Sequence, residues 1–89
     1  MIVRVMTEGQ YRVDGPLIQR LDVTDQHLLD AVHRGDDDSY HMHLREALEI
    51  VRQGVVVPVT ELVTSDLVLP GADMTLKDAR RILDEHPAD

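Results

Sequence analysis

Histidine and acidic side chains are the residue types most capable of chemistry in this sequence, whose 89 residues include five His and 17 Asp or Glu but no Cys. His41 and His43 are two positions apart, and a helix directs residues at that spacing to nearly opposite sides. Since the surrounding pattern is helical, the two rings cannot chelate one metal ion. His27 and His33 have neither a thiolate nor a second histidine four positions away. We therefore predict no metal site.

The acidic run Asp36-Asp37-Asp38 has the composition of a calcium loop but not its spacing. An EF-hand loop beginning at Asp36 needs glycine at its sixth position and glutamate at its twelfth, where this chain has His41 and Ala47. We interpret the run as the cap and acidic first turn of a helix.

Ser65-Asp66 is the hydroxyl and carboxylate pair that is the strongest candidate for a functional role. No Gly-x-Ser-x-Gly turn and no glycine-rich phosphate loop surrounds it. By residue chemistry the pair is more typical of a local turn in which a side chain accepts a bond from a nearby backbone N–H. We predict that the protein is not an enzyme, with no catalytic residues and no cofactor. An enzyme based on Asp and His is the less favoured alternative.

The net charge of −8, from 9 basic and 17 acidic residues, disfavours binding to several classes of partner. Nucleic-acid phosphates require a basic face, and anionic lipid repels an acidic protein. No apolar run approaches the roughly 20 residues that span a bilayer, so we expect no direct membrane insertion. Hydrophobic residues make up 43% of the chain and charged residues 29%, which is typical of a globular protein. We predict a single domain over residues 1–89.

Two short β-branched and aromatic runs, residues 2–6 and 10–13, flank Glu8-Gly9 and predict an N-terminal β-hairpin. Alternation places Val3 and Val5 on one face and Arg4 on the other, which predicts one buried and one solvated face. A two-stranded hairpin is only marginally stable in water by itself, so helices must cover its buried face. Residues 66–69 offer a third short strand.

Helical periodicity dominates residues 16–53. Pro16 suits a first helical position, and this helix either continues past Thr24 or restarts there, before Gly35 ends it. A second helix follows the acidic run, carries apolar residues three and four apart, and ends at Gly54. We expect the two to form an antiparallel helical hairpin.

Residues 55–73 are apolar but lack a clear period, and two prolines interrupt them. We expect extended or irregular backbone that packs on the hairpin or on a partner. A last helix begins at Asp73 or Thr75. The predicted fold is therefore α+β: an N-terminal β-hairpin, with or without a third short strand, packed against three to four helices.

Five segments, residues 1–4, 8–13, 35–36, 51–54 and 62–76, together match one protein family. The last is the most specific, because Ser65-Asp66-Leu67-Val68-Leu69-Pro70 is followed by Asp73 and by Thr75-Leu76. In these segments the chain resembles the PspA-associated protein family, PspAA, of small bacterial and archaeal proteins.

The resemblance implies a non-enzymatic accessory protein of the envelope-stress, or phage-shock, response. Its implied partner is PspA, a helical membrane-associated protein related to ESCRT-III filaments. It further implies a cytoplasmic protein that is recruited to the inner membrane face through this partner. No catalytic residues come with the resemblance.

We predict that the contact with this partner includes Ser65, Asp66, Leu67, Pro70 and Asp73. Apolar side chains of residues 62–70 would form its desolvated centre, and the acidic surface would face basic stripes on the partner. In one alternative this segment packs only on the domain's own hairpin. In another, the protein is a homodimer or larger homo-oligomer that pairs through an exposed hairpin edge. Loss of binding on Asp66→Arg, with the fold intact, would separate the predicted contact from the first alternative.

Overall fold

The computed structural model of the protein describes the backbone of residues 1–61 and 63–85, and their side chains as far as position 82. Four strands and three helices occupy this part of the chain. In chain order they are β1 (Ile2–Val5), β2 (Gly9–Arg12), α1 (Pro16–Arg34), α2 (Asp37–Val51), β3 (Val55–Val57), β4 (Leu67–Leu69) and α3 (Leu76–Glu85). The fold is α+β, as predicted.

The four strands form one mixed sheet in the order β3-β2-β1-β4. β1 and β2 make the predicted hairpin, and β3 pairs antiparallel with β2. β4 is the predicted third strand and pairs parallel with β1, where Val3 is opposite Leu67. Each hairpin strand therefore has a neighbour on both sides. The prediction that a homo-oligomer pairs through an exposed edge of the hairpin is therefore wrong. The outer strands of the described sheet are β3 and β4.

One face of the sheet packs against the helices. Val3 and Val5 are buried on this face and Arg4 is exposed on the other, as their alternation predicts. The core is aliphatic except for Tyr40 of α2, whose Oη donates to the carbonyl oxygen of Met74 at 2.9 Å. Burial, reinforced by nearby carboxylates, raises the pKa of Tyr40 to about 12.

α1 is continuous through Thr24, which is buried against the core. It ends at Gly35, whose left-handed conformation (φ 69°) is one that glycine adopts without strain. Asp36 then caps α2 by accepting a bond from the Ser39 N–H at 3.1 Å, which confirms the acidic run as a helix start. Because only two residues separate the helices, α2 returns along α1, and the ring of His27 lies 5.1 Å from that of His43. This is the predicted antiparallel helical hairpin.

The β3–β4 connection, described at residues 58–61 and 63–66, lies on the sheet face opposite the helices. Gln10 extends to this side, and its Nε2 donates to the Val63 carbonyl oxygen at 3.0 Å and to Ser65 Oγ at 2.8 Å. Ile2 and Val57 are buried on the same face. This face is therefore partly covered, which corrects the prediction that it is solvated.

β3 confirms the extended alternative in the prediction of extended or irregular backbone after α2, although no strand was assigned there. A run of three valines is too short to show the alternation of a strand, although its β-branched residues favour one. A Cβ at Gly54 would collide with the carbonyl oxygen of Arg12, so glycine allows the close approach of β3 to β2.

α3 spans Leu76–Glu85, which favours Thr75 over Asp73 as the predicted start. Thr75 Oγ1 accepts from the Asp78 N–H at 3.2 Å, and Asp78 Oδ2 accepts from the Thr75 N–H at 3.3 Å. These reciprocal bonds are those of a capping box, and they place Thr75 at the helix cap. Arg80 then fixes the helix to the end of α1 by donating to the Val32 carbonyl oxygen at 2.8 Å.

Candidate protein-binding surface

Ser65 and Asp66, the centre of the predicted contact, are hydrogen-bonded inside the domain. Ser65 Oγ accepts from Gln10, and Asp66 Oδ2 accepts from the Ile2 N–H at 2.7 Å. The Asp66 N–H also donates to the Ile2 carbonyl oxygen at 2.7 Å. Asp66 thus joins the connection to β1 through its side chain and its main chain. Asp66→Arg would disturb the sheet, so it is a poor probe of partner binding.

The other predicted contact residues lie along and after β4. Leu67 is half-buried and packs against the core, Pro70 is buried, and Asp73 is exposed. Ser65 and Asp66 precede the strand and Asp73 follows it, so the five residues are spread along its whole length. Partner binding by this set stays a prediction, and Leu62, at the start of the predicted segment, lies outside the described residues.

The most exposed large hydrophobic side chains of the described residues lie on a different surface. Five large hydrophobic side chains are exposed in the described part of the chain, and three of them belong to β3 or to the residues just after it. These are Val55, Val56 and Val59, which are 67%, 65% and 96% exposed. We call these three residues the valine patch. A cluster of apolar side chains on a charged surface is typical of a protein contact.

A groove of about 360 Å³ adjoins the valine patch, where the hairpin turn meets the end of β3. Its lining combines apolar and charged side chains. They include Tyr11, Val57, Pro58 and Val63, with Arg4, Glu8 and Glu61. The groove extends the valine patch into a concave surface that an apolar side chain of a partner can enter.

Four of the charged side chains beside the valine patch form two ion pairs. Arg12 lies 4.0 Å from Glu61, and the Glu8 carboxylate accepts bonds from Arg52 and from the Tyr11 hydroxyl. The bond from Arg52, followed by that from Tyr11, holds the pKa of Glu8 below its ordinary value. The valine patch therefore lies in a nearly neutral region of a protein whose net charge is −8.

The histidines and half-buried acids lie elsewhere in the fold. Across residues 1–61 and 63–82, no three His, Asp or Glu side chains converge as a metal site would require. His43 Nδ1 is buried without a hydrogen-bond partner in this part of the chain, 3.9 Å from Glu46 Oε1. Asp25 of α1 lies among apolar side chains of β4 and α3, and burial, followed by Asp22, raises its pKa.

Comparison with protein families adds an independent result. A family model described as PspA-Associated protein matches residues 1–88. The chain belongs to the PspA-associated protein family. No curated protein and no solved structure shows significant similarity to this PspAA protein. Among its described helices, none is both long and apolar enough to cross a membrane.

Sequence reasoning did not select the valine patch of this PspAA protein. The available signal was that residues 55–59 hold four valines and a proline with no charge, beside a glycine. Such a run is expected to be buried in a sheet. Its place at the sheet edge depends on the strand order, which the sequence pattern does not reveal.

Proposed function

We propose that this protein is a non-enzymatic accessory protein that binds a PspA-type protein in the envelope-stress response, with the valine patch at the centre of the contact. Membership of a family described by its association with PspA supports the partner. The observation that carries the contact is the exposure of Val55, Val56 and Val59 within five consecutive residues, of which Val56 and Val59 line the same groove. Apolar side chains at the centre of an interface contribute most when they exclude water.

The acidic surface supports a role for electrostatics in the approach of the partner. Outside the valine patch, the net charge of −8 attracts a partner with basic stripes, and such attraction raises association rates more than final affinity. The same charge disfavours direct adsorption to anionic lipid. We therefore propose a cytoplasmic protein that reaches the inner membrane face through its partner.

Calorimetric titration of the protein with the PspA-type protein of the same organism tests this function. At 50 mM NaCl we expect saturable binding, with an affinity that falls when the salt is raised to 500 mM because the long-range attraction is screened. A basic helical protein of unrelated sequence serves as the control and should give no saturable heat. Absence of binding to the PspA-type protein at both salt concentrations would refute the proposed function.

A further inference from the structure

The backbone at the open edge of β3 limits the kinds of partner that can bind there. Met1 and Val13 exchange backbone hydrogen bonds of 3.1 and 2.8 Å, so they form a hydrogen-bonded pair of the β1–β2 ladder. Such pairs alternate along an antiparallel ladder with pairs that are not hydrogen-bonded. The intervening Arg12 consequently directs its N–H and C=O away from β1, towards β3, where it is paired with Val55.

The same alternation makes Val56 the one residue of β3 whose N–H and C=O point to the open edge. The next positions that would point to this edge, Gly54 and Pro58, add no free backbone N–H. The Gly54 N–H donates to the Val51 carbonyl oxygen at 2.9 Å, and Pro58 has no N–H. A strand added at this edge would find a single backbone donor, whereas recognition by strand addition depends on a run of main-chain bonds.

The side chains at this edge offer a much larger contact than the backbone does. Val55 and Val56 extend to opposite faces of the strand, and Val59 continues the apolar surface beyond Pro58. A helix is about 10–12 Å across with its side chains, so one lying along the edge can contact both faces. Because four of the neighbouring charged side chains are paired in two ion pairs, the edge suits an uncharged stripe of the partner.

We infer that the valine patch binds the aliphatic stripe of a partner helix, with residues at i, i+3 and i+4 in contact with the valines, and does not bind an added β-strand. This inference rests on the proposed function and adds the kind of segment that the partner contributes. A helix that packs in this way gains affinity from apolar burial and requires no backbone group of β3.

Three variants of the full chain test the inference in calorimetric titrations with the PspA-type protein. The first replaces Val55, Val56 and Val59 with Thr, which keeps a β-branched shape but adds hydroxyl groups that resist burial. The second replaces the Val56 amide with an ester by chemical synthesis, which removes its outward N–H. The control is Val23→Thr, which changes an exposed valine of α1. Circular dichroism melting confirms that each variant is folded.

We expect the triple variant to bind about tenfold or more weakly, and the ester and Val23→Thr variants to bind within about twofold of the unmodified protein. If the triple variant binds normally, the inference and the assignment of the contact to the valine patch are both overturned, whereas binding of the PspA-type protein itself stands. If the ester alone weakens binding about tenfold, strand addition replaces helix docking. A wild-type dimer in light scattering that the triple variant loses would assign the patch to a second copy. No binding by the unmodified protein would remove the proposed function and the inference together.

Discussion

Removal of the Asp66 carboxylate is expected to destabilise the fold. Asp66→Ala leaves the Ile2 N–H, on a residue that is only 8% exposed, without the acceptor that lies 2.7 Å away. Hydrogen bonds to charged groups contribute about 1.5–3 kcal/mol, and the exposure of Asp66 places this one near or below the lower limit, at roughly 1–2 kcal/mol. In a domain of this length, 1 kcal/mol lowers the melting temperature by about 4–8 °C. We therefore expect a decrease of roughly 5–15 °C.

Thermal and urea unfolding followed by circular dichroism measures this loss. Asp73→Ala is the matched control, because it removes an exposed acid beyond the other end of β4. Surface substitutions of that kind change the free energy of unfolding by about 0.5 kcal/mol or less. Equal and small losses for the two variants would refute the assigned role of the Asp66–Ile2 bond. If the folded Asp66→Ala variant keeps its affinity for the PspA-type protein, its function is structural only.

Three further predictions concern polar groups that the fold positions. Tyr40→Phe removes the bond to the Met74 carbonyl oxygen and should lower the free energy of unfolding, measured by urea titration, by about 1–2 kcal/mol. An unchanged free energy of unfolding would contradict a stabilising role for this bond. Glu8 has a lowered pKa in the fold, so its pair with Arg52 stabilises the protein above the ordinary Glu pKa and loses that effect as the pH falls through the folded value. Glu8→Gln should therefore lower the melting temperature at pH 7 by a small amount, and by progressively less as the pH falls below the ordinary Glu pKa; an effect that does not change with pH would contradict the assignment. Asp25 has a raised pKa, so stability decreases as the pH rises from its ordinary pKa through its folded value. Asp25→Asn should raise the melting temperature at pH 7, and a decrease there would show that the carboxylate has a stabilising partner.

Local sequence patterns predicted the elements well but not their arrangement in space. Pro16, Gly35 and the acidic run at Asp36 give the helix boundaries because caps depend on adjacent residues. The β3 strand was missed because Val55–Val57 is too short to show alternation. Its pairing with β2 depends on contacts between residues more than 40 positions apart, such as Tyr11 and Val56.

The candidate surface was harder to predict than the fold for the same reason. Ser65-Asp66 is conspicuous in sequence because it is polar within an apolar segment. The structure uses both side chains to hold the β3–β4 connection against β1 and β2. The valine patch has the opposite character, since a hydrophobic run is expected to be buried and only the strand order exposes it. Polarity along the chain therefore did not indicate which groups are free to bind.

The most direct test of the account is a methyl NMR titration of the valine-labelled protein with unlabelled PspA-type protein. We predict that the methyl signals of Val55, Val56 and Val59 shift or broaden on binding, while those of the exposed Val23 on α1 and the buried Val13 do not. Binding that perturbs Val23 and leaves the valine patch unchanged would contradict the account.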